Sequence, residues 1–199
     1  MERVAFFIDG FNMYHSLKEN APDCRWLNLA KLCAGFLKEG EVVSRIYYFS
    51  AYATWLNDID KIKKHQLYVN RLAKEGVIPI MGKFKEKTVF CPNCKTQFTK
   101  HEEKQTDVNI ALKIVSGAML NEYDTAILVS GDTDMIPAIR TVKEIGFDKK
   151  IGVLFPLGRK NKELAQCADI SIKITRSSLK SSLFERETAP EGWVPEVSE

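Results

Sequence analysis

Hydrophobic positions in this chain fall into short unbroken runs that alternate with stretches of helical spacing. Residues 4–8 (VAFFI) form the first run and predict a buried strand, followed by a turn at Gly10 and a helix from about Asn12. Residues 42–51 (VVSRIYYFSA) form a second β-rich run. From Leu56 onward, Ile59, Ile62, Val69 and Leu72 keep an approximately helical spacing among lysines, and the pattern stops at Gly76 before the strand VIPI. After an irregular stretch, TDVNIALKIVSGAML is apolar nearly all round, as expected of a helix buried on most sides. TAILVS then predicts a strand, DMIPAIRTVKEIG a helix ending at Gly146, KKIGVLF a strand, NKELAQCA a short helix and ISIKI a last strand. Such alternation predicts an α/β fold with a mainly parallel sheet.

The irregular stretch, residues 83–104, carries short β-like pieces on either side of CPNC and reads as a hairpin or knuckle inserted in the fold. Beyond residue 176 the chain becomes rich in Ser, Glu and Pro and loses periodicity. We therefore expect one domain over residues 1–176, with the arm inserted in it, and a flexible tail over 177–199 onto which Leu183, Phe184 and Trp193 confer some capacity to dock.

Composition narrows the class. The 199 residues are 45% hydrophobic and 28% charged, ordinary for a globular chain and incompatible with disorder throughout. No apolar run approaches the roughly 20 residues of a membrane helix, and the N-terminus enters a strand-like run where a cleavable signal would be basic, so the expectation is a cytoplasmic protein without membrane partners. Five cysteines with no export signal argue for reduced thiols over a disulfide framework. The net charge of +3 is too small to identify a polyanionic partner.

The acids are more informative. In a parallel sheet with right-handed crossovers, all strands end on one edge and the connecting helices start there. Asp9 closes the first strand, Asp132 and Asp134 in SGDTD follow the end of TAILV, and Asp107 lies in the first turn of the helix before it. Each acid also has a purely structural reading: a turn at Asp-Gly, a charge complementing a helix dipole, a cap at Thr133 or Asp134. Together they need a counter-charge, because like charges about 4 Å apart repel by about 4 kcal/mol at an effective dielectric near 20. Hard divalent cations with oxygen ligands, Mg2+ or Mn2+, answer that need, as does proton sharing. Asn12 fits as a neutral partner of a carboxylate or ligand water, or as a helix cap. Ser130 either donates to a carboxylate or ends a strand, and Lys104, three residues before Asp107, is placed to meet a phosphate.

FFIDGFNMY, EEKQTDVNIAL and LVSGDTDMIPAI, in this order and spacing, resemble the NYN domain, in particular its LabA-like branch, within the PIN-like nuclease superfamily. KELAQCADISIKI is similar to that family's closing helix and strand, and the resemblance covers about residues 3–175. It implies a PIN-like three-layer α/β/α sandwich and a divalent-metal centre that hydrolyses RNA phosphodiesters. By matching position, Asp9, Asp107, Asp132 and Asp134 become metal ligands or water-activating acids, with Asn12 in support; Ser130 and Lys104 remain candidates for substrate contact on the reading of the residues alone.

Two further features bear on partners. In the arm, Lys83, Lys85, Lys87, Lys95, Lys100 and Lys104 interleave with Phe84, Phe90 and Phe98, a combination that tracks single-stranded nucleic acid by charge and stacking, or equally makes a solvated hairpin with inward phenylalanines. Arg159 and Lys160 in GRKNK form a second basic loop at a strand's carboxyl end, suited to backbone phosphates. CPNC is half of a zinc ribbon: Cys91 and Cys94 with His101 would supply three of the four ligands that a structural zinc needs. A homo-oligomer is compatible with the sequence, which leaves the oligomeric state open.

Two other functions compete with a nuclease. A haloacid-dehalogenase-type phosphatase also places an Asp after its first strand, but Phe11 occupies the position of its second acid. A non-catalytic RNA-binding or interaction module would keep the fold and use the rim only for docking.

Overall fold

Strand β1 (Glu2–Asp9) lies at the centre of a six-stranded sheet of order β3-β2-β1-β6-β7-β8, in which every pairing is parallel. The computed structural model describes residues 1–55, 58–146, 148–191 and 193. The other strands of this sheet are β2 (Glu41–Ser50), β3 (Ile78–Met81), β6 (Thr125–Val129), β7 (Lys150–Phe155) and β8 (Ile170–Lys173). The chain builds outward from β1 through β2 and β3, then returns to the other flank of β1 for β6, β7 and β8. The reversal leaves a crevice between the carboxyl ends of β1 and β6, where α/β sheets of this kind bind ligands.

Alternation along β1 makes the two layers of core. Val4, Phe6 and Ile8 face one side and meet α1 (Gly10–Asn20), α2 (Leu29–Ala34), α3 (Ile59–Lys74) and α7 (Arg176–Lys180) through Met13, Leu17, Leu32, Leu72 and Leu179. Ala5 and Phe7 face the other and meet α4 (Thr106–Met119), α5 (Ile136–Ile145) and α6 (Lys162–Cys167) through Ile110, Ile114, Ile139, Val142 and Leu164. The result is the expected three-layer α/β/α sandwich.

Residues 83–104 form the expected hairpin, β4 (Lys83–Phe90) against β5 (Gln97–Lys104), as a separate antiparallel ribbon. The segment after residue 176 departs from expectation. Thr175 and Ser178 make a capping box that starts α7, Leu183 bridges to Leu27, and Phe184 N–H donates to Trp26 O at 3.1 Å. Trp26 collects Phe184 and Trp193 on its rings and donates its indole N–H to Thr188 Oγ1 at 3.0 Å. These residues close the α1–α3 side of the core, so the described residues of this segment, through 191 and at 193, pack on the domain. Residues 194–199 lie outside those described.

Candidate metal centre

Strand β1 delivers Asp9 to the crevice almost fully buried, at 5% exposure. Its carboxylate caps α1, accepting the Asn12 backbone N–H at 2.9 Å, and accepts the Ser130 hydroxyl at 2.9 Å. Burial is the larger influence: it pushes the Asp9 carboxyl up to about 6 against those two hydrogen bonds, with Asp107 and Asp132 adding repulsion. The tight entry to α1 requires glycine, since a Cβ on Gly10 would lie 2.6 Å from Phe49 O and 2.8 Å from the Tyr48 ring.

From the other flank, β6 ends at Val129 and the chain turns through Ser130, Gly131 and Asp132. Asp132 N–H donates to Ser130 Oγ at 3.1 Å, and the Asp132 carboxylate accepts Asp134 N–H at 2.9 Å. Gly131 N–H donates to Asn12 Oδ1 at 3.1 Å, tying this turn to α1. A Cβ on Gly131 would sit 2.2 Å from Arg159 O, so the turn also lies directly against the loop after β7. Helix α4 supplies Asp107 from its first turn, entered through Gln105 at φ 82, a left-handed conformation unusual for glutamine.

These segments bring carboxylate oxygens of Asp107, Asp132 and Asp134 within 4.8 Å of one another, with Asp9 close enough to repel Asp107 and Asp132. Burial raises the Asp107 carboxyl, and Asp132 and Asp134 raise it further. A set of oxygen donors only, carrying more negative charge than its surroundings offset, suits a hard divalent cation.

Glu103 joins these acids from the ribbon side, a placement that the charge pattern of residues 83–104 does not announce. It lies opposite Phe84 in the ribbon register, on the face that turns inward, and accepts the Thr106 backbone N–H at the start of α4. Its Oε1 is buried without a hydrogen-bond partner, and burial, then Asp107 and Asp9, push its carboxyl up to about 7. The available signal was strand alternation in HEEK, which sends His101 and Glu103 to one face and Glu102 and Lys104 to the other.

Other assignments change. Ser130 is fully buried and its hydroxyl is committed to Asp9 and Asp132, so it positions the acids and is out of reach of substrate. Asn12 does not cap α1, a role Asp9 takes. Lys104 pairs with Glu102 at 3.0 Å on the outer ribbon face, opposite in direction to Glu103, and so does not point at Asp107. Arg159 is held by Glu19 at 2.6 Å beside the Gly131 turn, with Lys160 exposed next to it. His101 stacks on Trp55 at 4.1 Å and faces Glu86 at 3.3 Å, well down the ribbon from Cys91 and Cys94, so the three residues expected to share a zinc are not together. Cys94 accepts the Thr96 hydroxyl at 2.9 Å, which, with the Thr96 backbone N–H, lowers its thiol to about 7.

The ribbon also sorts its charges. Lys83, Lys85, Lys87, Lys100 and Lys104 share the outer face with Glu102 and Phe98, whereas Phe84 turns inward to Phe11 and Trp55 at ring distances of 5.8 and 5.9 Å.

The sequence matches the model of the NYN domain over residues 3–175. The chain belongs to the NYN family. That family lies within the PIN-like nuclease superfamily, whose fold this NYN domain has. A Vibrio parahaemolyticus protein of unknown function has a crystal structure similar to it, with a TM-score of 0.64 and 20% sequence identity over 92% of this chain and 96% of that one. The domain is also 28% identical, over 193 residues, to 6-hydroxy-3-succinoylpyridine 3-monooxygenase HspA of Pseudomonas putida. The match spans 80% of this chain and 61% of that relative. Among the described residues, no helix is long and apolar enough to cross a membrane.

Proposed function

We propose that this NYN domain is a divalent-metal-dependent ribonuclease that hydrolyses phosphodiester bonds at the rim built by Asp9, Asp107, Asp132 and Asp134. The observation that carries this reading is the convergence of Asp107, Asp132 and Asp134 within 4.8 Å, above a buried Asp9. Asp107, Asp132 and Asp134 would hold Mg2+ or Mn2+, which supplies charge neutralisation and polarises water and phosphate oxygens. Asp9, fixed by Ser130 and the α1 N-terminus, deepens the negative charge beneath them and, with a carboxyl titrating near 6, is able to hold a proton until a cation displaces it. Glu103 is placed to do the same from the ribbon side.

RNA is the favoured substrate because the domain belongs to a nuclease superfamily and because basic side chains flank the rim. The Arg159–Lys160 loop touches the Gly131 turn, and the outer lysines of the ribbon offer a path for the phosphate backbone away from the acids. Phe11, at the position where a haloacid-dehalogenase phosphatase has its second acid, packs against Phe84.

Labelled single-stranded RNA and DNA, a small phosphomonoester, and 6-hydroxy-3-succinoylpyridine in air with a supplied reductant, each with Mg2+, Mn2+ or chelator, test the reading. The expected result is RNA cleavage that requires metal and disappears in Asp132→Asn. Turnover of the phosphomonoester or the pyridine alone would replace the proposal, and RNA binding unaffected by Asp132→Asn, without cleavage, would favour a docking module.

A further inference from the structure

The two thiols at the tip of the β4–β5 ribbon play no part in the acidic site, yet the turn that carries them is closely built. Cys91 N–H donates to Thr96 O at 3.0 Å, Lys95 N–H donates to Cys91 O at 2.9 Å, and Lys95 adopts φ 54, in the left-handed region. That turn brings the Thr96 hydroxyl and backbone N–H onto Cys94 Sγ and sets the Cys91 thiol within hydrogen-bonding reach of it. Two sulfurs on one side of a turn, with an N–H donor aimed at one of them, form half of a tetrahedral thiolate site.

Among the described residues, nothing near the tip supplies the other half. Residues 90–99 contain no histidine or acid and no other cysteine. His101 is four strand positions beyond Gln97, roughly 13 Å at the usual rise. Cys24 and Cys33 are buried in the core, and Cys167 is the last residue of α6, on the far side of the sheet from α1. Among the described residues, the one group of three or more ligating side chains is Asp107, Asp132 and Asp134.

We propose that the ribbon tips of two copies of this chain close on one zinc ion, each supplying Cys91 and Cys94. The surroundings suit a second copy specifically. Beside the turn, Phe98 on the outer face of the ribbon and Phe90 on the inner face are 51% and 55% exposed, and a second tip meeting the turn end-on would cover the near edge of each. Four thiolates around one Zn2+ leave a net charge of −2, which the two Lys95 side chains, one in the turn of each copy, offset, since Lys87 and Lys100 along the ribbon pair with Glu102. Without the metal these lysines face one another across the junction, so association depends on zinc. Binding takes all four sulfurs as thiolates, releases to solvent the protons they still carry at the working pH, and moves no electrons.

The test uses the full chain, reduced and stripped with chelator, titrated with Zn2+ while its mass is followed by analytical ultracentrifugation, with Co2+ in parallel as the spectroscopic probe. The expected result is conversion to dimer, complete at one metal per two chains, with a thiolate-to-cobalt charge-transfer band. Chelator should reverse both, Cys91→Ser and Cys94→Ser should each abolish both, and Asp132→Asn should leave both in place. Metal bound at one per chain without a change in mass, no thiolate band, a dimer that persists in the serine variants, or a band lost in Asp132→Asn would overturn the proposal.

Discussion

Ser130 and Asp9 are 121 residues apart in sequence and joined by a 2.9 Å hydrogen bond at the sheet edge, where the hydroxyl donates to a carboxylate that is almost wholly buried. The same hydroxyl accepts Asp132 N–H, so one small side chain sets the spacing between acids from two strands. Ser130→Ala should cost about 1–3 kcal/mol, because it leaves a buried carboxylate oxygen unpaired, and should lower metal-dependent cleavage more than RNA affinity. Urea denaturation and single-turnover assays check the two parts. A neutral effect on both would mean that the pair is dispensable.

Asp9 should also give the metal-free protein a pH signature. Its carboxyl titrates near 6 in the folded chain against an ordinary value of 3.8, so folding favours the protonated form. The contribution to stability is therefore full below about pH 4 and is lost as pH rises to about 6, a swing on the order of 3 kcal/mol. Asp9→Asn should reduce that slope, leaving the part that Glu103 and Asp107 contribute with the same sign, and make the metal-free protein more stable than wild type above pH 6, while abolishing activity. Thermal unfolding across this window in chelator decides it, and an unchanged slope would show that Asp9 is not the titrating group.

The segment after residue 176 should behave as core. Phe184 lies under the Arg71 guanidinium at 4.8 Å and against Trp26 at 5.3 Å, so Phe184→Ala should cost about 3–5 kcal/mol. A flexible tail would give no measurable change in denaturant midpoint.

Gly131→Ala tests the junction between the SGD turn and the basic loop. The added methyl would meet Arg159 O, a backbone atom, and relief requires the loop to shift, at a cost of about 1–3 kcal/mol. Cleavage should fall further than stability predicts, since the same turn carries the Gly131 N–H bond to Asn12. Wild-type kinetics in this variant would separate the loop from the site.

The strands were legible because a strand buried on both faces reads as an unbroken apolar run, as residues 4–8 and 125–129 do. The gathering of the acids followed from that, since parallel strands with crossover helices share one carboxyl edge. What escaped depends on partners that the local sequence does not display. Leu179, Leu183 and Phe184 sit in a Ser- and Glu-rich stretch and become core only because Trp26 and Leu27 need covering. The short helix α2 has too few turns to establish a period. Glu103 looked like one more charge among lysines until the ribbon register turned it inward, and the strand order, with its reversal at β1 and β6, is set by packing that no single segment encodes.

The central claim is that this rim gathers a cation on Asp107, Asp132 and Asp134 over Asp9. The most direct measurement is an anomalous-scattering map from crystals grown with Mn2+ and an uncleavable RNA analogue. We predict a manganese peak bound by oxygens of those three aspartates, absent from Asp132→Asn crystals grown the same way. A rim with no peak at saturating Mn2+, or one whose acids are instead neutralised by lysine or arginine side chains, would contradict it.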